Sequence, residues 1–152
     1  MTEPLVVRRE IQIAAPAATV FAFLTDPENI VSWMGTEAEM EAHPGGLYLL
    51  KGVGGGARTA RGAFREVVPI HRLAYSFGWD EHDKNVPPGS SLIEIDLIDH
   101  EANGTLLRMT HSGLPDAASC ANHDKGWTHY FARLAQAASG GDPGPDPNRK
   151  VA

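Results

Sequence analysis

Residues 91–111, SLIEIDLIDHEANGTLLRMTH, set two alternating runs on either side of a turn signal. In the first run Ile93, Ile95 and Leu97 share one face, and Glu94 and Asp96 share the other. In the second, Leu107, Met109 and His111 share a face. A period of two marks a strand with one side on a core and one on water. Asn103-Gly104 between the runs is a hairpin dipeptide, because both residues tolerate positive φ. Beyond Pro115 the period changes. In residues 116–138, DAASCANHDKGWTHYFARLAQAA, the residues Cys120, His123, Trp127, Tyr130, Phe131, Leu134 and Ala138 recur near every 3.6 positions. That spacing predicts a long amphipathic helix from about Asp116 to Ala138.

Further strands precede this unit. Arg72 to Trp79 puts Leu73, Tyr75, Phe77 and Trp79 on one face. Ala60 to Val68 and Leu47 to Lys51 are strands bounded by Pro69–His71, Gly52–Gly56 and Pro44-Gly45-Gly46. Thr36 to Ala42 alternates Ala38, Met40 and Ala42 with Glu37, Glu39 and Glu41, a charged face that discourages edge pairing. Val6 to Ala14 alternates as a first strand. Pro16 then suits a helix start, with Val20, Phe21, Phe23 and Leu24 as its apolar stripe. Asp26, Pro27 and Glu28 form a second start signal, followed by Ile30, Val31, Trp33 and Met34 and stopped at Gly35. The order is strand, two short helices, six strands, helix. Consecutive strands with short turns predict an antiparallel sheet, and the class is α+β. The long helix is the available cover for the apolar sheet face. A curved sheet around one helix leaves a space where a ligand can sit.

The chain has 152 residues, 42% hydrophobic and 21% charged, which fits one globular domain. We place it at 1–138, followed by a flexible Gly/Pro/Asp tail at 139–152. Thirteen basic residues against nineteen acidic give 13 − 19 = −6. That balance speaks against nucleic acid and against an anionic membrane surface as partners. The single cysteine, Cys120, excludes an intrachain disulfide and any multi-cysteine metal site. Met1-Thr2-Glu3-Pro4 opens no signal peptide, and no run of about eighteen apolar residues occurs. The expected location is cytoplasmic.

Chemical motifs are sparse. Gly54-Gly55-Gly56 through Gly62 lacks the Gly-Lys-Ser/Thr of a phosphate loop, and no Gly-x-Ser-x-Gly elbow occurs. Asp80-Glu81-His82-Asp83 and Asp99-His100-Glu101 are dense in ligating types but sit in expected loops, without the paired histidines of a zinc helix. No metal and no cofactor are expected. Cys120, near a helix start, is either a reactive thiol or a packing residue.

A series of motifs carries a resemblance. Ala15-Pro16 leads through Val20-Phe21 and Leu24-Thr25-Asp26-Pro27-Glu28 to Trp33. Pro44-Gly45-Gly46 comes next, then Gly62 with Glu66-Val67-Val68-Pro69 and Arg72-Leu73. Last come Thr110-His111-Ser112-Gly113-Leu114-Pro115 and His123-Asp124-Lys125-Gly126-Trp127. In order and spacing, from about Val6 to Ala138, this resembles the AHSA-type family. That family is named for activators of the heat-shock chaperone ATPase and is a branch of the SRPBCC or START-like superfamily. The resemblance implies a helix-grip fold of about seven antiparallel strands curved around a long C-terminal helix, with a hydrophobic cavity. Members range from co-chaperones through polyketide cyclases to resistance proteins, so fold alone does not choose a function.

Alternation then names the expected cavity walls. The strands contribute Tyr48, Leu50, Phe64, Tyr75, Phe77, Trp79, Ile93, Ile95, Leu107, Met109 and His111. The helices contribute Trp33, Met34, His123, Trp127 and Phe131. Such aromatic and methionine surface suits a flat or lipid-like ligand, and each residue alone also fits a filled core. Glu66 shares the face of Phe64 unless a bulge intervenes. With His111 or His123 it would make a proton-moving pair; the two histidines equally suit backbone hydrogen bonds at the strand-to-helix junction. Three readings are open: a protein binding a small apolar or aromatic ligand, an enzyme of cyclase, dehydratase or hydrolase type using Glu66 with His111 or His123, and a chaperone-associated partner module. A homodimer through a strand edge or the outer sheet face is compatible with each.

Overall fold

In this computed structural model, residues 5–54, 58–80, 86–100 and 103–144 are described. β1 (Val7–Ile13) is followed by α1 (Ala17–Thr25) and α2 (Pro27–Ile30). Six strands come next: β2 (Glu37–Met40), β3 (Leu47–Val53), β4 (Arg58–Val68), β5 (Arg72–Phe77), β6 (Ser91–His100) and β7 (Gly104–Ser112). α3 (Ala117–Ala138) closes the order. The strands form one antiparallel sheet in the order β1-β7-β6-β5-β4-β3-β2, so the first strand returns beside the last. This is the expected helix-grip architecture.

Local chemistry explains the helix ends. Asp26 accepts from the Glu28 amide at 2.9 Å to start α2, with Pro27 in the first turn. Asp116 accepts from the Ser119 amide at 2.8 Å to start α3. The second helix is shorter than its apolar pattern suggests. It stops at Ile30, and Trp33 and Met34 lie in the turn after it. Both are nevertheless buried, and Trp33 Nε1 donates to the Phe23 carbonyl at 2.9 Å.

α3 lies across the concave sheet face. Its stripe of Trp127, Tyr130, Phe131, Leu134, Ala137 and Ala138 is buried. Polar ties help to fix its position. The Arg9 guanidinium on β1 grips the Asp124 carboxylate in a two-pronged pair, 2.6 Å at each contact. Arg133 Nε donates to the Trp33 carbonyl at 2.9 Å. Arg133 also donates to the carbonyls of Pro143 and Gly144, so the first six residues after α3, 139–144, fold back on it. The rest of the expected tail, 145–152, lies outside the described residues.

The sheet is irregular where β4 meets its neighbours. The β4–β5 register shifts between Phe64 and Glu66, and the β3–β4 register shifts between Leu50 and Val53. At Gly62 the Ser76 carbonyl approaches so closely that a Cβ would lie 1.7 Å from it, which excludes any side chain. The extra residue in β4 bends the strand and re-aims the side chains beyond Phe64.

Candidate functional site

The interior between sheet and α3 has two ends. At one end Tyr48 stacks on Tyr75 with ring centroids 4.2 Å apart, and Phe64 sets an edge against Tyr48 and lies tilted against Tyr75. At the other end a cavity of ≈ 230 Å³ is bounded by Met34, Val53, Gly54, Arg58, Phe77, Trp79, Asn122, His123, Gly126, Trp127 and Tyr130. Asn122 is exposed and marks its mouth. A wider hollow of ≈ 410 Å³ between α2 and β2 is lined by Glu28, Glu37, Glu39 and Lys51 among others, and has no aromatic wall.

The cavity contains Met34, Phe77, Trp79, His123 and Trp127 from the expected set. The other expected wall residues are buried but do not border it. Trp33, Tyr48, Leu50, Phe64, Tyr75, Ile93, Ile95, Leu107, Met109, His111 and Phe131 pack within the core instead. Alternation places a side chain on the inner face correctly, but does not say whether the space beyond it is filled.

The histidines are held by tryptophans. Trp79 Nε1 donates to His123 Nε2 at 3.1 Å, and His123 Nδ1 lies 2.7 Å from the Ser119 carbonyl. An indole N–H can only donate and a carbonyl can only accept. His123 therefore carries its proton on Nδ1 and is neutral. Trp127 Nε1 donates to His111 Nδ1 at 3.1 Å. Ser91 Oγ donates to the Phe77 carbonyl at 2.7 Å, so His111 Nε2 donates to that Oγ at 2.8 Å. His111 is thus the opposite neutral tautomer. Burial, then the neighbouring His123, lowers its pKa from 6.5 to about 3. Phe77 stands among the four rings, 5.2 Å from Trp79 and 5.3 Å from His111. His123 borders the cavity, whereas His111 lies behind it as a satisfied core histidine.

Several wall residues escape a reading of the sequence, for local reasons. β3 runs two residues past Lys51, which brings in Val53, and β4 starts two residues before Ala60, which brings in Arg58. The Arg58 guanidinium lies over the Trp79 ring at 4.1 Å. Tyr130 is visible on the helix stripe, but its role is specific: its hydroxyl accepts from the Gly54 amide at 2.8 Å and pins the end of β3 to α3. Asn122 gives no apolar signal. Gly126 does leave a signal, an isolated glycine inside a helical pattern. A Cβ built there meets nothing within 4 Å, and its backbone is ordinary helix.

Glu66 is corrected. The bulge after Phe64 turns it outward, where it is exposed and bonds Arg72 Nε at 2.8 Å. Arg72 also holds Glu94 and Asp96, so Glu66 belongs to an ion-pair cluster on the outer face, not to a pair with His111 or His123. Cys120 is half-buried against the core, and burial and Asp116 push its thiol pKa up, the opposite of an activated thiolate. Among the described residues no three His, Cys, Asp or Glu side chains gather as a metal site, and no helix is long and apolar enough to cross a membrane. Residues 81–85 and 101–102, with parts of both ligating clusters, lie outside the described residues.

The family described as Activator of Hsp90 ATPase homolog 1-like protein matches residues 14–139. No curated protein matches the chain. Among solved structures, an AHSA1-like protein of Rhizobium etli is 59% identical, with a TM-score of 0.73 over 100% of this chain and 92% of that one. DynU16, from the dynemicin biosynthetic locus, is 21% identical with a TM-score of 0.79, covering 97% of this chain and 52% of its own. The Aha1 dimer of Colwellia psychrerythraea is 18% identical with a TM-score of 0.76, covering 90% of this chain and 97% of its own. The last two likenesses bear on the fold alone.

Proposed function

We propose that this chain, which belongs to the Activator of Hsp90 ATPase homolog 1-like family, binds a small, flat apolar or aromatic molecule between the sheet and α3. Gly126 is the observation that carries the reading. Glycine inside a helix costs roughly 0.5–1 kcal/mol relative to alanine. Neither its φ nor a neighbour's approach requires glycine there, since both would accept a Cβ. It keeps open a space walled by Trp79, Trp127 and Phe77. At ≈ 230 Å³ the cavity lies below the range of about 300–1,000 Å³ for drug-sized sites, so the ligand is a molecule of one or two rings. The enzymatic alternative loses its carboxylate once Glu66 faces outward, and both imidazoles are committed to indole donors.

The test is native mass spectrometry of freshly purified protein, followed by tryptophan-fluorescence titration with flat apolar compounds. The wild type is expected to carry or take up such a molecule. Gly126→Leu, which extends into open space, is expected to lose uptake while staying folded. An empty wild type that quenches with nothing, and matches Gly126→Leu, overturns the reading.

The chaperone-associated reading has an observation of its own. Val68, Ile70 and Ile98 are 41%, 40% and 38% exposed around the β4–β5 turn. The His71 amide donates to the Val68 carbonyl at 3.0 Å to close that turn, and Ile70 sits in it at φ 74, where a β-branched residue is strained. Retained chaperone binding by an Ile70→Gly variant would remove this support.

A further inference from the structure

We infer that the cavity extends past Phe77 when its ligand binds, and that Tyr48 then donates a hydrogen bond to a carbonyl oxygen on the ligand's leading end. The inference rests on the cavity reading above and names the ligand's chemical class, a flat ring system bearing a carbonyl. Its origin is an orphaned atom. Tyr48 is 1% exposed, and among the described residues its hydroxyl has no hydrogen-bond partner. Burial raises its pKa, so it is a neutral phenol with a proton to give. Tyr75 offsets a part of that rise, but the two rings stack within 14° of parallel. A phenol O–H lies in the plane of its own ring, so a stacked neighbour is poorly placed to accept it. An unpaired buried hydroxyl is costly, and a phenylalanine would stack in the same place without that cost. The hydroxyl therefore serves something other than the packing of the closed end.

Phe77 links that tyrosine to the cavity. It is a cavity wall, and its ring centroid lies 6.4 Å from Tyr48 and 6.5 Å from Tyr75. The other described aromatic walls are tethered through polar atoms: Trp79 to His123, Trp127 to His111, and Tyr130 to the Gly54 amide. Phe77 has no polar atom in its side chain, and its ring meets its neighbours by edges and tilts. Its backbone is held, since its carbonyl accepts from Ser91 Oγ at 2.7 Å. The motion available is thus a turn of the side chain between staggered positions, which breaks no hydrogen bond. That turn joins the ≈ 230 Å³ space to the Tyr48 end and brings it nearer the usual size of a ligand site. A carbonyl suits the joined chamber. It accepts the Tyr48 proton and brings no N–H or O–H of its own that would need a partner in an apolar surround. The ligand ring stays against Trp79 and Trp127, and the carbonyl leads.

The probes are 1-tetralone and tetralin, two-ring molecules of similar shape that differ by one carbonyl, titrated calorimetrically into the full-length protein. Wild type is expected to bind 1-tetralone roughly tenfold tighter, the scale of one hydrogen bond made by a group that had none. In Tyr48→Phe that preference should vanish while tetralin binding persists. Because Phe77 lies between Tyr48 and the cavity, a preference that depends on Tyr48 also reports the turn. The unliganded Tyr48→Phe protein should melt at the same temperature as wild type or higher, which separates a lost contact from a lost fold. A clear fall in that melting temperature overturns the inference, since the hydroxyl would already be satisfied in the free protein. Equal binding of both probes to wild type overturns it and leaves the cavity reading standing, as does a preference that survives in Tyr48→Phe. Failure of both probes to bind, with no difference between wild type and Gly126→Leu, overturns the inference and the cavity reading together.

Discussion

At one end of the interior, Tyr48, Tyr75 and Phe64 fill the space with ring contacts of 4.2 to 5.9 Å. At the other, Phe77, Trp79 and Trp127 surround a cavity of ≈ 230 Å³. The two ends use the same residue types on the same strand faces, and Tyr75, Phe77 and Trp79 are successive inward positions of one chain segment. What separates them is what braces each ring. The closed end is braced by ring on ring. At the open end each indole is braced through its N–H, Trp79 by His123 and Trp127 by His111, so the rings keep their places without mutual filling. Gly126 then withholds the side chain that would close the gap.

The largest expected effect tests that contrast. Phe64→Ala removes a side chain packed on every side, and should cost about 3–5 kcal/mol. Trp79→Ala removes a larger ring that already borders open space, and should cost less, because fewer contacts are lost. Urea denaturation of both variants checks this. Equal costs would mean that the open end is filled in solution.

The next effect depends on pH. His111 has a folded pKa of about 3 against 6.5 when unfolded, so its protonated form is favoured only in the unfolded chain. Its burial is therefore harmless above about pH 6.5, and stability is lost as pH falls from there toward 3. The slope approaches about 1.4 kcal/mol per pH unit, or roughly 2 kcal/mol between about pH 6.5 and 5. The groups facing His111 are Trp127, Ser91, Phe77 and His123. In His111→Gln the protein should be weaker at neutral pH but show a flatter acid limb in thermal melts. An unchanged slope would place the titrating group elsewhere.

Gly126→Ala should move stability the other way, upward by about 0.5–1 kcal/mol, because the helix gains propensity and the added methyl meets nothing. A loss of stability on differential melting would show that this part of α3 is more crowded than the cavity geometry allows.

Much of this molecule was legible in its sequence. The strand faces came from a period of two, α3 from a period of 3.6, and the motif order pointed to the fold. Each part that was not legible has a physical cause. Tyr48 and Trp79 carry the same inward signal, but whether their surroundings are filled depends on long-range packing that alternation does not encode. Arg58 was hidden because a strand start is set by pairing with its neighbours, not by its own residues. The hydrogen bonds that fix the tautomers of His111 and His123 join residues from different elements, such as Ser91 and Trp127, and have no local pattern. Gly126 stands in the sequence as an isolated glycine inside a helical pattern, which opposes local propensity, but nothing in that pattern ties it to a cavity.

Glu66 sharpens the comparison with the smallest expected effect. One residue inserted after Phe64 separates the inner and outer faces of β4, and a register without it would have put a carboxylate beside the core. Instead Glu66 meets Arg72, which is also held by Glu94 and Asp96. Glu66 is about half exposed, and Arg72 keeps two other carboxylates when Glu66 is neutralised. Glu66→Gln should thus change stability by less than about 1 kcal/mol and leave ligand uptake intact. The discriminating readout is uptake, not stability. A buried carboxylate paired with an imidazole would be felt in the cavity and would shift ligand affinity with pH. An outer-face ion pair cannot, because the sheet lies between it and the ligand. If Glu66→Gln abolished uptake while the fold survived, the bulge would have to sit elsewhere in β4, and the inner face would carry the acid that the enzymatic reading requires.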